Sequence, residues 1–194
     1  YLSKGDLRTN ILIIYIHKER MSENKLSSVS SLSPFPEEIE EGFSRLDSVF
    51  FTRDVLEVAP ELLGKVLVRQ FDNGQVNRYR ITEVEAYRGI EDLACHASKG
   101  RTPRTEVMFQ DGGKIYVYLI YGMYWLLNFV TGEKDHASAV LIRGIEGFSG
   151  PGRLGRELQL DKSFYGENLV TSSRLWIENA KPVSEFKTSK RIGI

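Results

Sequence analysis

The stretch from Lys114 to Val130, KIYVYLIYGMYWLLNFV, places the strongest constraint on how this chain can fold. In its first part, Ile115 to Ile120, tyrosines alternate with aliphatic residues along the chain. The alternation breaks at Tyr121 and Gly122, and a second apolar run follows from Met123 to Val130. Such runs on either side of a glycine-containing break are typical of two strands joined by a tight turn. The stretch therefore predicts a β-hairpin.

This hairpin carries tyrosines on one face and at its tip. Because successive side chains of a strand point to opposite faces, Tyr116 and Tyr118 share a face. Tyr121 lies at or beside the turn, where an aromatic ring is poorly placed to enter the core. For any single tyrosine, a plain β-favouring residue of the sheet is the simpler interpretation. The concentration of tyrosines weakens that interpretation without excluding it.

Composition restricts the classes of protein and site. With 194 residues, 41% of them hydrophobic and 27% charged, the chain is typical of one globular, soluble domain. The single cysteine, Cys95, excludes an internal disulfide and favours a reducing, intracellular setting. Three separated histidines, His17, His96 and His136, show no metal-binding spacing. No phosphate-cradling glycine loop is present, so we expect neither a metal nor a cofactor.

Residues 1–46 differ from the rest of the chain. Between 21 and 43 the sequence is rich in Ser, Glu and Pro and has little periodicity, which is typical of a disordered arm. The apolar run at 11–16 is far shorter than the roughly 20 residues needed to span a bilayer, and it lacks the features of a signal peptide. We therefore expect no membrane association, an N-terminal arm at 1–46 and one domain at 47–194.

Local patterns in that domain mix helices and strands without a regular βαβ rhythm. This mixture favours an α+β fold with a curved, mainly antiparallel sheet (an open roll or barrel), flanking helices and the protruding hairpin, over a doubly wound fold. The other predicted elements are helices at Asp54–Leu63, Ile90–Ser98 and Arg153–Leu160, strands at Lys65–Phe71, Val76–Tyr87, Ala139–Ile145 and a last one at Leu175–Ile177, and a loop at Gly100–Arg104.

A pair of carboxylates is the first candidate for chemistry. Glu83 and Glu85 share a strand face with Tyr87. A carboxylate beside aromatic rings can act as a general base when burial and a cation set its protonation, and Arg143 in AVLIRGI is a possible cation. A solvated polar face with a surface ion pair is the simpler alternative, and spacing alone ranks it first.

Two further residues are ambiguous from sequence. His96, next to Cys95, is more often a structural residue than a catalyst or ligand. Asn128 lies inside the apolar run LLNFV. Because a buried amide without partners costs about 1 to 3 kcal/mol, we expect Asn128 to face a pocket.

Charge is balanced over the whole chain but not locally. Lys plus Arg and Asp plus Glu each number 26, so net charge alone argues against a strongly basic nucleic-acid binder. The loop after His96 nevertheless contains Lys99, Arg101 and Arg104 with no acid before Thr105. Such a loop can bind phosphates, or it can simply be solvated. Any nucleic-acid surface must be a patch on a nearly neutral body.

Several blocks in sequence order resemble one family. EVEAYRGIEDLACHASKGRTPR, MFQDGGKIYVYLIYGMYWLLNFV, AVLIRGIEG, GPGRLGREL and LDKSFYGENL are similar to segments of the alkyladenine (3-methyladenine) DNA glycosylases in order, spacing and residue type. The resemblance runs from about Phe50 to Ile194. In that family a further segment past the position of Ile194 completes the sheet, and the backbone near Ile192 supplies a water contact, so the resemblance predicts that this chain is truncated.

The resemblance implies a monofunctional, cofactor-free monomer of base excision repair that acts on duplex DNA. A damaged purine, of the 3-methyladenine, 7-methylguanine, hypoxanthine or ethenoadenine class, is rotated out of the stack and Tyr121 fills the gap. Glu85 matches the base that activates water, and Arg143 helps to hold that water. The implied base-pocket residues are Tyr87, His96, Tyr118, Asn128, Tyr116 and Met108, and the implied DNA-binding residues are Arg101, Arg104 and Arg153.

Within this resemblance, Asn128 restricts purines that carry a 2-amino group. The enzyme would act in the nucleoid of a bacterium or the nucleus of a eukaryote. Two alternatives remain open: a lesion-binding module without turnover, and a sheet-based RNA-binding protein that uses Tyr116 and Tyr118 as a stacking platform.

Overall fold

The computed structural model describes residues 12–16 and 44–191. Within them, nine strands form one sheet in which every recorded pair is antiparallel. The predicted α+β class with a mainly antiparallel sheet is confirmed. The strands are β1 (Leu12–Tyr15), β2 (Val66–Gln70), β3 (Val76–Tyr87), β4 (Ile115–Ile120), β5 (Tyr124–Thr131), β6 (Ser138–Ile145), β7 (Phe148–Ser149), β8 (Leu175–Glu178) and β9 (Lys187–Lys190).

The long strand β3 connects two parts of the sheet. Its first half pairs with β2, which pairs in turn with β8. Its second half lies between β6 and β1, in the strand order β4-β5-β6-β3-β1-β9. The register shifts around Glu83, which marks a bulge next to the candidate carboxylates. The predicted hairpin is confirmed as β4 and β5, and β2 with β3 confirms the other predicted strand pair.

Three α-helices lie within the described residues: α1 (Ser48–Phe51), α2 (Val55–Leu62) and α3 (Pro151–Glu157). The Asp54 carboxylate accepts a hydrogen bond from Leu56 N at 2.9 Å and so caps α2. Helix α3 packs closely on β5, because a Cβ added at Gly155 would lie 2.1 Å from the carbonyl oxygen of Trp125. Helices α2 and α3 confirm the predicted helices at Asp54–Leu63 and Arg153–Leu160. Helix α3 begins earlier than predicted, at Pro151, and ends earlier, at Glu157.

Two clusters of buried side chains form the core. The larger one joins α2, α3 and one face of the sheet. The smaller one lies under the loop between β3 and β4, next to the tyrosines of the hairpin. Its members are Cys95, Ala97, Val107, Met108, Phe109, Tyr116, Val130, Ala137 and Ala139.

The predicted helix at Ile90–Ser98 is wrong. The segment consists of turns, and only His96–Lys99 forms a short 3₁₀ helix. The Asp92 carboxylate accepts hydrogen bonds from Arg88 N at 3.2 Å and Ala94 N at 3.1 Å. These bonds satisfy backbone groups locally and so compete with a helix.

The ends of the sheet also differ from the sequence prediction. Strand β1 and residues 44–46 lie in the range assigned to the arm, yet β1 pairs with β3, and Leu46 is buried. The apolar sequence of β1 explains this difference. Its backbone pairs with β3, and its side chains Ile13 and Ile14 are buried. Strand β9 follows the predicted last strand, and its polar sequence KTSK gives no apolar alternation. Residues 17–43 and Ile192 lie outside those described.

None of the helices in residues 12–16 and 44–191 has the length and apolar character needed to cross a membrane.

Candidate active site

Strand register places the candidate residues in one row across the sheet. Tyr116 on β4 is opposite Asn128 on β5, Asn128 is opposite Leu141 on β6, and Leu141 is opposite Glu85 on β3. Directly opposite residues of antiparallel strands have Cβ atoms about 5 Å apart and point to the same face. Residues that are far apart in sequence thereby form one continuous surface. Leu141, which is buried, is the member of the row that the sequence gives no reason to select.

An aromatic pocket lies on this face. It contains about 270 Å³ of empty space, part of which is open to solvent. Its lining includes all six predicted base-pocket residues. The lining residues are Tyr87, Ala94, Cys95, His96, Met108, Tyr116, Tyr118, Asn128 and Ala139.

His96 is fixed by contacts on both sides of its ring. Its Nδ1 lies 2.8 Å from the Tyr116 hydroxyl, and its ring centroid lies 4.6 Å from that of Tyr118. Burial, with the nearby charges of Arg104 and Lys99, lowers the pKa of His96 to about 4. The ring is therefore neutral at pH 7. Because the Arg104 guanidinium only donates, its contact of 3.3 Å makes His96 Nε2 the acceptor and leaves the proton on Nδ1.

Glu85 lies directly behind the pocket wall. The side chain is buried, with 3% of the residue exposed. The Tyr87 hydroxyl donates to Glu85 Oε1 at 2.7 Å, and Arg143 Nη1 donates to Oε2 at 2.6 Å. Arg143 Nε also donates to Glu83 Oε1 at 2.9 Å. The structure thus joins the predicted acid, cation and aromatic residue in one hydrogen-bonded group, and the alternative of a solvated surface pair is wrong for Glu85.

The electrostatics of this group keep the guanidinium charged and the phenols neutral. Burial, and then the charge and hydrogen bond of Glu85, raise the pKa of Tyr87 far above its ordinary value. Burial and the charge of Glu85 raise the pKa of Tyr118 to about 12. Burial lowers the pKa of Arg143, but the bonds and charges of Glu83 and Glu85 outweigh it, so the net shift is upward. Tyr87 therefore stays a hydrogen-bond donor to the carboxylate.

A buried ion pair supports Tyr87 from behind. Arg191 donates to both oxygens of Asp92, at 2.7 and 3.1 Å, and its guanidinium lies 4.7 Å from the centre of the Tyr87 ring. Sequence reasoning did not identify this pair. The only signal was two charged residues near the predicted motifs, and they come together from positions 99 residues apart.

Asn128 faces the pocket, as its place in an apolar run predicted. Its amide nitrogen donates to the carbonyl oxygens of Tyr116, at 3.1 Å, and Leu126, at 3.5 Å. These bonds hold the amide in a fixed orientation at the pocket wall.

Tyr121 lies at the tip of the β4–β5 hairpin. It is 84% exposed, and its φ of 50° is in the left-handed region, which is uncommon for a bulky residue. Met123 and Leu119 beside it are also exposed. The tip therefore presents apolar surface to solvent, away from the core.

The predicted DNA-binding arginines have different surroundings. Arg104 is exposed, and its guanidinium lies 5.1 Å from the centre of the Tyr118 ring, at the pocket. Arg101 is bonded to Glu106, at 2.8 Å, and to Asp135, so acids neutralise it in this structure. Arg153 is exposed on α3 and lines a groove that also contains Arg143.

Two of the structural observations bear on other classes of site. Tyr116 is only 1% exposed, which contradicts an RNA-stacking platform formed by Tyr116 and Tyr118. Across residues 12–16 and 44–191, no group of three His, Cys, Asp or Glu residues is placed to hold a metal ion.

Comparison with known proteins gives consistent matches. The sequence model of the family described as Methylpurine-DNA glycosylase (MPG) matches residues 49–148 and 146–194. Similar proteins named "Putative 3-methyladenine DNA glycosylase" include one from Methanocella arvoryzae, 43% identical over 75% of this chain and 82% of the relative. Those from Natranaerobius thermophilus and Desulfitobacterium hafniense are 38% and 41% identical, each over 77% of this chain and 87% of the relative.

Proposed function

The chain belongs to the methylpurine-DNA glycosylase family and is a DNA glycosylase of repair, and we propose that it hydrolyses the N-glycosidic bond of damaged purines in duplex DNA. The observation that carries this proposal is the position of Glu85. A buried carboxylate is bonded both to Arg143 and to Tyr87, whose ring lines the aromatic pocket. A purine in that pocket would have its sugar bond close to the acid.

The pocket recognises the extruded purine by stacking. Tyr87 forms one wall, and His96 with Tyr118 forms the other. Purines alkylated at N3 or N7 are cationic, and each aromatic contact with a cation contributes about 0.5 to 2 kcal/mol. A neutral His96 does not repel such a base. Stacking also tolerates neutral lesions of the hypoxanthine and ethenoadenine class.

Glu85 activates the water that attacks the sugar. The carboxylate removes a proton from water as the water oxygen bonds to C1′, and the N-glycosidic electron pair leaves with the base. Arg143 holds the carboxylate, and through it the water, in position. An abasic site remains. Because water is the nucleophile, this chemistry forms no covalent intermediate with the enzyme and cleaves no strand.

Asn128 makes the pocket selective. Its amide group is anchored to backbone carbonyl oxygens of β4 and β5, so it cannot move aside without losing those bonds. A purine with a 2-amino group meets it and leaves an unpaired donor, which disfavours normal guanine.

The hairpin tip holds the duplex open. The exposed Tyr121 ring enters the stack where the purine has left and offsets part of the unstacking cost of a few kcal/mol. Arg104 lies at the pocket beside Tyr118 and contacts the phosphates of the displaced nucleotide.

Formation of abasic sites tests this proposal. The chain is incubated in excess with duplexes that contain one 3-methyladenine analogue, 7-methylguanine, hypoxanthine or ethenoadenine, and strands are then cleaved by alkali at abasic sites. We expect release from at least one lesion duplex and none from undamaged duplex. Binding of lesion duplex without any release would instead favour a module without turnover, and preferential binding of single-stranded RNA would reject both.

A further inference from the structure

Strand β1 lies next to the catalytic carboxylates. In its register with β3, Ile13 is opposite Glu85, Ile14 is opposite Val84 and Tyr15 is opposite Glu83. The pairing continues past the strand, because Ile16 N donates to the carbonyl oxygen of Thr82 at 3.0 Å. One short segment therefore borders the part of β3 on which the proposed chemistry depends.

The two isoleucines of β1 serve opposite faces of the sheet. Ile14 belongs to the main core, which also contains Val84. Ile13 points to the face of Glu85, and the two residues are equally buried, each 3% exposed. The row from Tyr116 through Asn128, Leu141 and Glu85 thus continues onto β1.

We propose that β1 is a wall of the active site and that Ile13 is a positioning residue for Glu85. The inference rests on the function proposed above and adds an element to it. Residues 12–15 lie outside the matched range 49–194, so the comparisons assign no role to this strand.

Ile13 also lies at a groove beside β1. Ile13 and Tyr15 line this groove together with Glu83, Arg143 and Arg153. The groove is an open route to the guanidinium that holds Glu85. From its position opposite Glu85, the Ile13 side chain would cover the carboxylate on that side, so that bulk water would not compete for the lone pairs that must accept the proton of the attacking water.

Ile13 and Leu141 are the apolar residues directly opposite Glu85 on the two neighbouring strands, and the other groups around the carboxylate are polar. Glu85 faces Arg143 from β6, Glu83 and Tyr87 from β3, and Tyr118 from β4. Tyr15 on β1 faces Glu83. Removing the Ile13 side chain admits water to this group without removing any of its charges.

The test compares Ile13→Ala with Ile14→Ala in the full chain. Both variants remove the same atoms from buried positions of one strand, so losses of stability should be similar. We expect Ile13→Ala to lower the single-turnover rate of base release about 10- to 100-fold, the loss that misplacement of a catalytic group causes. Its affinity for the lesion duplex should stay unchanged, because the substitution acts on the carboxylate and leaves the aromatic pocket intact. Ile14→Ala should change neither quantity in the folded protein.

Ile13→Val is the conservative variant that keeps the test valid if Ile13→Ala does not fold. It keeps a branched apolar side chain opposite Glu85 and should retain most of the rate and the full affinity for the lesion duplex. Equal rates of base release for Ile13→Ala and Ile14→Ala, with the unsubstituted chain active, would overturn the role of Ile13 and leave the proposed function intact. An inactive unsubstituted chain would overturn the proposed function, and this inference with it.

Discussion

His96 owes its chemical state to its position between Tyr116, Tyr118 and Arg104. A protonated imidazole there would lose solvation and lie next to a guanidinium, so burial and charge both favour the neutral ring. The neutral ring contacts the Tyr118 ring edge to face and donates to the Tyr116 hydroxyl. At pH 7 the residue is thus a neutral and fixed part of the aromatic pocket.

The first prediction is the titration of His96. NMR of the imidazole should give a midpoint near pH 4, as its lowered pKa implies. Because the folded pKa lies below the unfolded value of about 6.5, the unfolded state binds more protons between these values. The contribution of His96 to the free energy of unfolding is therefore full above pH 6.5 and declines as pH falls towards 4. A midpoint near 6.5, or an identical decline in His96→Phe, would contradict this description.

The second prediction concerns Thr131. Its side chain is buried, and its Oγ1 has no hydrogen-bond partner among the described residues. Valine has the same shape without the hydroxyl, and an unsatisfied buried hydroxyl costs about 1 to 3 kcal/mol. Thr131→Val should raise the free energy of unfolding in urea by about 1 kcal/mol, whereas Thr131→Ala, which leaves a cavity, should lower it. Destabilisation by valine would indicate that Thr131 has a partner.

At the scale of elements, the β4–β5 hairpin combines two tasks. Its base supplies Tyr116, Tyr118 and Asn128 to the pocket, while its tip exposes Tyr121. The alternation and the Tyr121–Gly122 break predict this arrangement from sequence alone, because both depend on neighbouring residues. The geometry of the pocket could not be predicted, because it requires the register with β6 and β3.

The third prediction tests the tip. Tyr121→Ala should weaken binding to lesion duplex and slow base release, because no ring fills the vacated position. Tyr121→Phe keeps the ring and should retain both. Because Tyr121 is 84% exposed, neither change should lower the melting temperature appreciably. Binding by electrophoretic mobility shift and release under single-turnover conditions measure the effects, and equal activity of the two variants would reject the wedge.

The fourth prediction tests the loop that follows β3. Asp92→Asn leaves the buried Arg191 without its charged partner, and breaking such a pair costs about 3 to 5 kcal/mol. The variant should lose stability to that extent and release bases more slowly, since Arg191 also supports the Tyr87 ring. The neighbouring Glu91 is exposed, so Glu91→Gln is a matched control that should change neither quantity. Similar effects of the two changes would show that the pair is not structural.

At the scale of the whole molecule, local patterns predicted the fold class and most elements, and the resemblance named the site residues. The strands and the ion pair that the sequence did not predict depend on contacts between residues far apart in the chain. Strand β9 is polar and is held by its pairing with β1, β1 joins β3 from far away in sequence, and Arg191 reaches Asp92 across 99 residues. The false helix at Ile90–Ser98 has a local cause, the Asp92 side chain, which periodicity does not register.

Charge also acts at this scale. The chain has a formal net charge of zero, so net charge does not steer it to DNA. Under the proposed function, binding would depend on local positive charge such as that of the exposed Arg104 and Arg153, because Arg101 is already paired with acids. We therefore expect recognition to depend more on the pocket and the hairpin tip than on the phosphate backbone.

The most direct test of the central claim is single-turnover base release by Glu85→Gln from a lesion duplex that the unsubstituted chain processes. An amide keeps the shape and the bond from Tyr87 but cannot accept the proton of the attacking water. We predict a rate about 10² to 10⁴ times lower, the usual contribution of a general base, with unchanged affinity for the lesion duplex. The exposed Glu133→Gln should behave as the unsubstituted chain. Unchanged release by Glu85→Gln would contradict the account.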